Sequence, residues 1–223
     1  MASKTERLAK SCAVIGLGRF GRSLALELMK EGVEVLGIDT DERVVQSLAG
    51  RLTHVVAADS TDEEALRQLS VHEFKRAVVG IGTNVEASIL TTSILVEMGI
   101  PDVWGKAMTH AHARILSKVG AHHVVRPEHD MGRRVAHLVR GSLLDYIEFD
   151  DGYALAKTSP PSELWDRPLG ESRPRTDYGV TIVGVKRLGS EFTYATPETV
   201  PQRGDLIIVA GPRELVEKFS ARR

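Results

Sequence analysis

Cysteine is almost absent from this 223-residue chain. Cys12 stands alone, which excludes an internal disulfide and fits a reducing compartment. No apolar run approaches the ~20 residues that carry a helix across a bilayer. The first ten residues, Met1–Lys10, are polar and mixed in charge and hold no signal-peptide core. The expected setting is therefore the cytoplasm, with any membrane association made by docking on another protein. An excess of one charge is also missing. Lys and Arg total 29 against 30 Asp and Glu, a formal net charge of -1, so bulk charge offers no footprint for nucleic acid. There is no internal repeat and no low-complexity tract. No catalytic set stands out, and the C-terminal ~70 residues offer no Gly-x-Ser-x-Gly, no Cys/His pair and no His–carboxylate pair of convincing spacing. A dehydrogenase needs a proton donor or acceptor beside the nicotinamide and a domain to hold substrate. The expectation is a protein that is not an enzyme.

What is present is an ordinary globular composition, 42% hydrophobic and 26% charged, over a length that fits one large or two modest domains. Six short apolar runs punctuate the first half: Cys12–Gly16, Val33–Ile38, His54–Ala58, Ala77–Ile81, Val103–Ala107 and His122–Val125. Segments of helical periodicity lie between them, at Arg19–Glu31, Asp41–Ala49, Asp62–Leu69, Asn84–Met98 and His110–Val119. Ser60 or Thr61 followed by Glu63 or Glu64 reads as a capping box. Strand–helix alternation predicts a parallel sheet with helices on both faces, an α/β Rossmann-type doubly wound fold over residues 1–126.

Pro127 opens another helical stretch. Met131, Val135, Leu138, Val139, Leu143 and Tyr146 give it an apolar face, and Gly141 interrupts it, so a linker helix is expected over 127–146. From residue 147 to 223 the character changes. Tyr153–Thr158, Val180–Lys186, Phe192–Ala195 and Leu206–Ala210 read as strands, and Leu169–Tyr178 as loop. A short helix is expected at Ser162–Trp165 and a closing helix at Pro212–Phe219. These elements make a small α+β C-terminal domain.

Gly16-Leu17-Gly18-Arg19-Phe20-Gly21 is a G-x-G-x-x-G between an apolar strand and a helix, with Asp39 eighteen residues beyond Gly21 at the end of the next strand. In that context the motif predicts nucleotide binding. Gly16 permits a tight turn, Gly18 lets phosphate approach the backbone, and Gly21 lets the helix pack close to the sheet. The helix N-terminus presents free N–H groups to an anion. Asp39 is placed for a ribose hydroxyl pair, or to cap the helix starting near Asp41; both roles can coexist. Arg19 either meets a phosphate or points to solvent, and the first role leans towards ADP or ATP rather than NAD. Asp59 either accepts from an adenine amino group or caps the following helix, and Ser60 stands beside it. Gly82 and Asn84 follow the fourth strand on the same side of the sheet, with Asn84 read first as a helix cap. His110, His112, His122 and His123 lack metal-ligand spacing and read as surface or capping residues. Glu128 and Asp130 start a helix, where they favour its dipole; beside a nucleotide, a carboxylate there can also hold a divalent cation.

Val14–Gly21, Glu34–Asp39, Gly80–Asn84, Trp104-Gly105-Lys106-Ala107 and Val125-Arg126-Pro127-Glu128-His129-Asp130-Met131-Gly132 together resemble the KtrA/TrkA family of RCK-domain potassium-transport regulators, most nearly its KtrA-type members with a single RCK domain. The resemblance covers nearly the whole chain. It implies a homo-oligomer, eight subunits in a ring, on the cytoplasmic face of an integral-membrane potassium transporter subunit. ATP and ADP, and in some members NAD or NADH, are the implied ligands. It implies that Arg19 reaches a terminal phosphate, Asp39 the ribose and Asp59 the adenine side. It places Phe20 and Lys106 with the cofactor residues, and implies that Glu128 helps bind Mg2+ or Ca2+ with ATP. Some relatives bind cyclic di-AMP in the C-terminal lobe. Here the corresponding loop, Arg173-Pro174-Arg175-Thr176-Asp177, reads as one residue longer than the family pattern, though its two arginines suit phosphates. An NAD(H)-dependent oxidoreductase or NADH-sensing redox regulator is the alternative reading. A transcriptional regulator would need a basic helix-turn-helix, and none precedes residue 12 or follows residue 150.

Overall fold

The computed structural model describes residues 11–139 and 143–222. The expectations for Met1–Lys10 and Gly141 concern positions outside the described residues. The chain divides into two units after Glu128.

The first unit is built on six strands: β1 (Ser11–Ile15), β2 (Glu34–Asp39), β3 (His54–Ala57), β4 (Arg76–Val79), β5 (Asp102–Lys106) and β6 (His123–Val125). They pair in the order β3-β2-β1-β4-β5-β6, every pair parallel. That is the doubly wound order, with its switch point between β1 and β4. Strands covered on both faces read as unbroken apolar runs, and β1 is buried along its whole length. Its alternation feeds two cores. Ala13 and Ile15 join Leu36, Ile38, Val79 and Val103, while Cys12 and Val14 join Leu17, Val35 and Leu48. Burial pushes the Cys12 thiol up to about 12.

The helices of this unit are α1 (Arg19–Lys30), α2 (Glu42–Leu48), α3 (Glu63–Gln68), α4 (Val85–Glu97) and α5 (His110–Lys118). Four begin on a side-chain cap. Asp41 accepts from Arg43 N at 2.8 Å, and Asp62 from Glu64 N at 2.9 Å. Asn84 accepts from Ala87 N at 3.0 Å, and Thr109 from His112 N at 3.1 Å. The cap of α3 is therefore Asp62 rather than Ser60 or Thr61. Helix α1 is the exception. It starts from Gly18 with no side-chain cap and no acid in its first turn.

Helix α6 (Pro127–Val139) follows, but Tyr146 is not on it. Asp145–Glu148 is strand β7, where Tyr146 is buried and Ile147 exposed, a period of two rather than 3.6. The apolar set assigned to one helix face thus divides. Leu143 and Tyr146 belong to the core of the second unit, whereas Met131 and Val135 are exposed.

The second unit holds β7, β8 (Tyr153–Thr158), β9 (Thr181–Lys186), β10 (Thr193–Tyr194) and β11 (Leu206–Pro212). They form an antiparallel sheet in the order β10-β9-β11-β8-β7. Closing helix α9 (Arg213–Ser220) buries Val216 and Phe219 in the core with Leu164, Ile182 and Ile207. The stretch expected as loop instead forms two short helices, α7 (Leu169–Ser172) and α8 (Pro174–Tyr178). The Pro168 carbonyl accepts from Ser172 N at 3.0 Å, and Pro174 opens α8 at a position where a missing N–H costs nothing.

Candidate functional site

The residues nominated from sequence gather at the carboxyl ends of the parallel strands, where such sheets bind ligands. The loop after β1 is shaped by its own glycines. Gly16 has φ +85°, and a β-carbon on it would lie 2.8 Å from Ile81 N. A β-carbon on Gly21 would lie 1.9 Å from Gly16 O, so α1 rests directly on the loop. A β-carbon on Gly18 would meet no protein atom within 4 Å. Asp39 ends β2 and braces the turn: Oδ2 accepts from Leu17 N at 2.6 Å, and Oδ1 from Asp41 N at 3.0 Å.

A cleft of about 590 Å3 opens above these strand ends, within the range of small-ligand sites. Gly16, Gly18, Arg19, Phe20, Asp39, Asp59, Ser60, Gly82, Asn84, Lys106 and Glu128 all line it. Gly21 does not; it packs beneath the loop. Besides Asp39, the side chains of Ser60, Asn84 and Asp59 already hold internal hydrogen bonds. Ser60 is buried and its hydroxyl meets Thr91 Oγ1 at 2.8 Å. Asn84 caps α4. Asp59 does not cap α3; its Oδ1 accepts from Thr61 N at 2.9 Å and Thr61 Oγ1 at 2.7 Å. Those bonds, the backbone one foremost, hold its carboxyl below the usual range. The uncapped first turn of α1 lies along this cleft, so free N–H groups and the exposed Arg19 face a space bounded by backbone and a few polar groups. That is anion-binding chemistry.

The buried cation of the site is Lys106, the last residue of β5. Its Nζ donates to Glu128 Oε1 at 2.7 Å and sits 5.6 Å from the centroid of the Phe20 ring. The Lys106 bond holds the Glu128 carboxyl below its ordinary range, and the charge of Arg19 adds to this. Sequence reasoning put both residues near the ligand but missed that they pair. They are 22 positions apart, and only the sheet order brings them together. It also missed Met108, whose sulfur, like Lys106 Nζ, lies close against Gly82 in the lining of the cleft.

Among the described residues no group of three or more His, Cys, Asp or Glu side chains could hold a metal. Glu128 therefore fits a divalent cation as a single protein ligand whose other positions go to water or, beside a nucleotide, to phosphate oxygens, a common arrangement for Mg2+. His122 and His123 make contacts within the sheet. His122 Nδ1 accepts from Val103 N at 3.0 Å, and His123 stacks on Trp104. Of the surface and capping roles expected, His112 takes the second: it is buried, and Nδ1 accepts from Met108 N, just ahead of α5, at 3.3 Å. Desolvation lowers its pKa. No helix among the described residues is long and apolar enough to cross a membrane.

A doubly wound sheet, an uncapped helix behind a glycine loop and a cation-lined cleft define a nucleotide-binding α/β domain, joined here to a small β-rich lobe. The comparisons with known proteins are consistent with that class. The TrkA-N domain model matches residues 12–127 and the TrkA-C domain model residues 154–222. Ktr system potassium uptake protein C of Bacillus subtilis (strain 168) is 41% identical over 217 residues, covering 96% of this chain and 98% of that protein. The chain belongs to the KtrA/TrkA family, as its motifs led us to expect. Among solved structures, the GsuK RCK domain matches with a TM-score of 0.65 at 18% identity, over 95% of this chain and 48% of that one. The GsuK channel bound to NAD matches with a TM-score of 0.52 at 22% identity, over 94% of this chain and 38% of that one. These likenesses establish the RCK-type fold.

Proposed function

We propose that this chain is a nucleotide-sensing regulatory subunit that gates a membrane potassium transporter from its cytoplasmic face and catalyses no reaction. The observation that carries the reading is the uncapped N-terminus of α1 facing a cleft that also holds Arg19 and Lys106. Family membership directs that nucleotide site towards potassium uptake. In this reading the α1 N–H groups hold phosphate, the free lone pairs of Asp39 take the ribose, and Asp59 with Ser60 borders the base. Gly82 and Asn84 line the far wall, and Glu128 shares a Mg2+ or Ca2+ ion with the phosphates of ATP. Arg19 meets the phosphate that distinguishes ATP from ADP through a charge-assisted bond. Only such a difference in affinity can shift a conformational equilibrium. Assembly into a ring of eight subunits would place Arg19 at a neighbour's nucleotide.

Calorimetry with ATP, ADP, NAD and NADH, with and without Mg2+ or Ca2+, tests the reading. Tight ATP and ADP binding is expected, with a cation dependence that Glu128→Gln removes and an ATP preference that Arg19→Ala reduces. Binding confined to NAD or NADH would sink the ATP/ADP switch in favour of an NAD(H)-dependent oxidoreductase or NADH-sensing redox regulator.

A second cleft, of about 380 Å3, favours a further ligand in the C-terminal lobe. Arg173 and Arg175 line it, and Arg173 holds a left-handed backbone at φ +42°, a conformation found at ligand clamps. Cyclic di-AMP, with its two phosphates, suits two arginines; calorimetry with Arg173→Ala as control checks it.

A further inference from the structure

Lys106 is a lysine whose side chain is only 8% exposed, and an ammonium so withdrawn from water requires an anionic partner. Glu128 supplies one at 2.7 Å from the first turn of α6. The two partners are unequally held. Glu128 is 55% exposed, so it can turn away at little cost, whereas Lys106 is fixed in the wall of the cleft beside Gly82 and the Phe20 ring. Solvent-exposed carboxylates gain little from such pairs.

Resting on the nucleotide reading above, we propose that the Lys106–Glu128 pair is an exchangeable lock on the cation position. Without nucleotide, Lys106 occupies Glu128 Oε1 and excludes a divalent cation from the carboxylate. A nucleotide phosphate gives the buried ammonium a new anionic partner and releases Glu128. The released carboxylate then joins the phosphate in holding the cation. Breaking one ion pair thus serves two binding events, which makes them mutually reinforcing, and by linkage the reinforcement is reciprocal.

Mn2+ titrated into the nucleotide-free full chain and followed by electron paramagnetic resonance tests the lock directly. Wild type should bind Mn2+ weakly. Lys106→Met should bind it roughly tenfold tighter, within the usual range of site–site coupling. Lys106→Arg keeps a cation against Glu128 and should behave as wild type. Glu128→Gln placed on Lys106→Met should abolish the gain. Lys106→Gln serves if the methionine variant is unfolded. In chelator, Glu128→Gln alone should tighten ATP binding, because Lys106 is then free for phosphate. Equal Mn2+ affinity in wild type and Lys106→Met overturns the lock, as does unchanged or weaker ATP binding by Glu128→Gln in chelator. If wild type binds neither ATP nor ADP, the nucleotide reading falls and the lock with it. Intact nucleotide binding with unaltered Mn2+ affinity in Lys106→Met overturns the lock alone.

Discussion

Two glycines of one loop should respond in opposite ways to the same added methyl group. On Gly21 a β-carbon would sit 1.9 Å from Gly16 O, where ordinary contact begins near 3.4 Å. The shortfall, 3.4 - 1.9 = 1.5 Å, falls on backbone, so no side chain can swing aside. Helix α1 must instead lift off the strand, loosening Ala25 and its neighbours in the core. Overpacking of this kind costs about 2–3 kcal/mol. In a unit of this size that lowers Tm by on the order of 10 °C. Nucleotide affinity should fall by about tenfold or more as the α1 N–H groups move, equivalent to ~1.4 kcal/mol. Gly18→Ala places its β-carbon in open space at φ -61°, a conformation alanine accepts. Stability should then change by less than about 1 kcal/mol in either direction, since glycine-to-alanine entropy and the N-cap preference oppose each other. Binding should still weaken, because the methyl group stands where phosphate approaches. Urea unfolding with calorimetry on both variants separates the effects. A Gly21→Ala protein as stable as wild type, or a Gly18→Ala protein that is the less stable of the two, would refute the geometry.

Asn84→Ala should destabilise the first unit by about 1 kcal/mol through loss of the α4 cap, read by urea unfolding. Phe219→Ala should cost the second unit about 3–5 kcal/mol, since the ring is buried against Tyr178 and the sheet core; denaturation followed at Trp165 checks it. The lowered pKa of His112 means that the unfolded chain binds the extra proton first as pH falls. Stability of the first unit should therefore drop below the unfolded value of about 6.5 and level off above it. His112→Asn, which retains an acceptor for Met108 N, should flatten that slope; unfolding between pH 5 and 7, followed at Trp104 in a Trp165→Phe background, measures it. Cys12, buried with its thiol pushed up to about 12, should resist thiol reagents at pH 8 until urea unfolds the unit.

The doubly wound sheet was legible because inner strands buried on both faces leave apolar runs, and the six strands, the less buried edges β3 and β6 included, are spaced by helical segments. The glycine loop was legible because Gly16 and Gly21 answer local demands that other residues meet badly, while Gly18 leaves open space above the loop. The end of α6 was not. Val139, Leu143 and Tyr146 fall at helical spacings, and only the pairing of β7 with β8 shows that Tyr146 obeys a period of two. Helices α7 and α8 were hidden for a different reason: elements of 4 and 5 residues are too short to show periodicity, and their Pro, Gly and Arg content matches that of loops. For His112 sequence left surface and capping roles open, because residue type predicts exposure only on average; burial and the bond from Met108 N, just ahead of α5, decide for the second.

The division within the cleft has the same physical basis. What depends on residues near in sequence was readable, such as the Asn84 cap and the loop itself. What depends on strand order was not, and the Lys106–Glu128 pair is of that second kind. Asp39 lies between the two. Its position at the end of β2 suggested a ribose acceptor from sequence, and two of its acceptor sites already hold Leu17 N and Asp41 N. An ionised carboxylate offers about four such sites, so two are left for a ligand. The carboxylate therefore fixes the phosphate loop before any nucleotide arrives. Asp39→Asn puts an amide donor in place of one acceptor, so it should loosen the loop as well as weaken ribose binding. A variant that lost only affinity, with backbone exchange at Leu17 N unchanged, would assign Asp39 to the ligand alone.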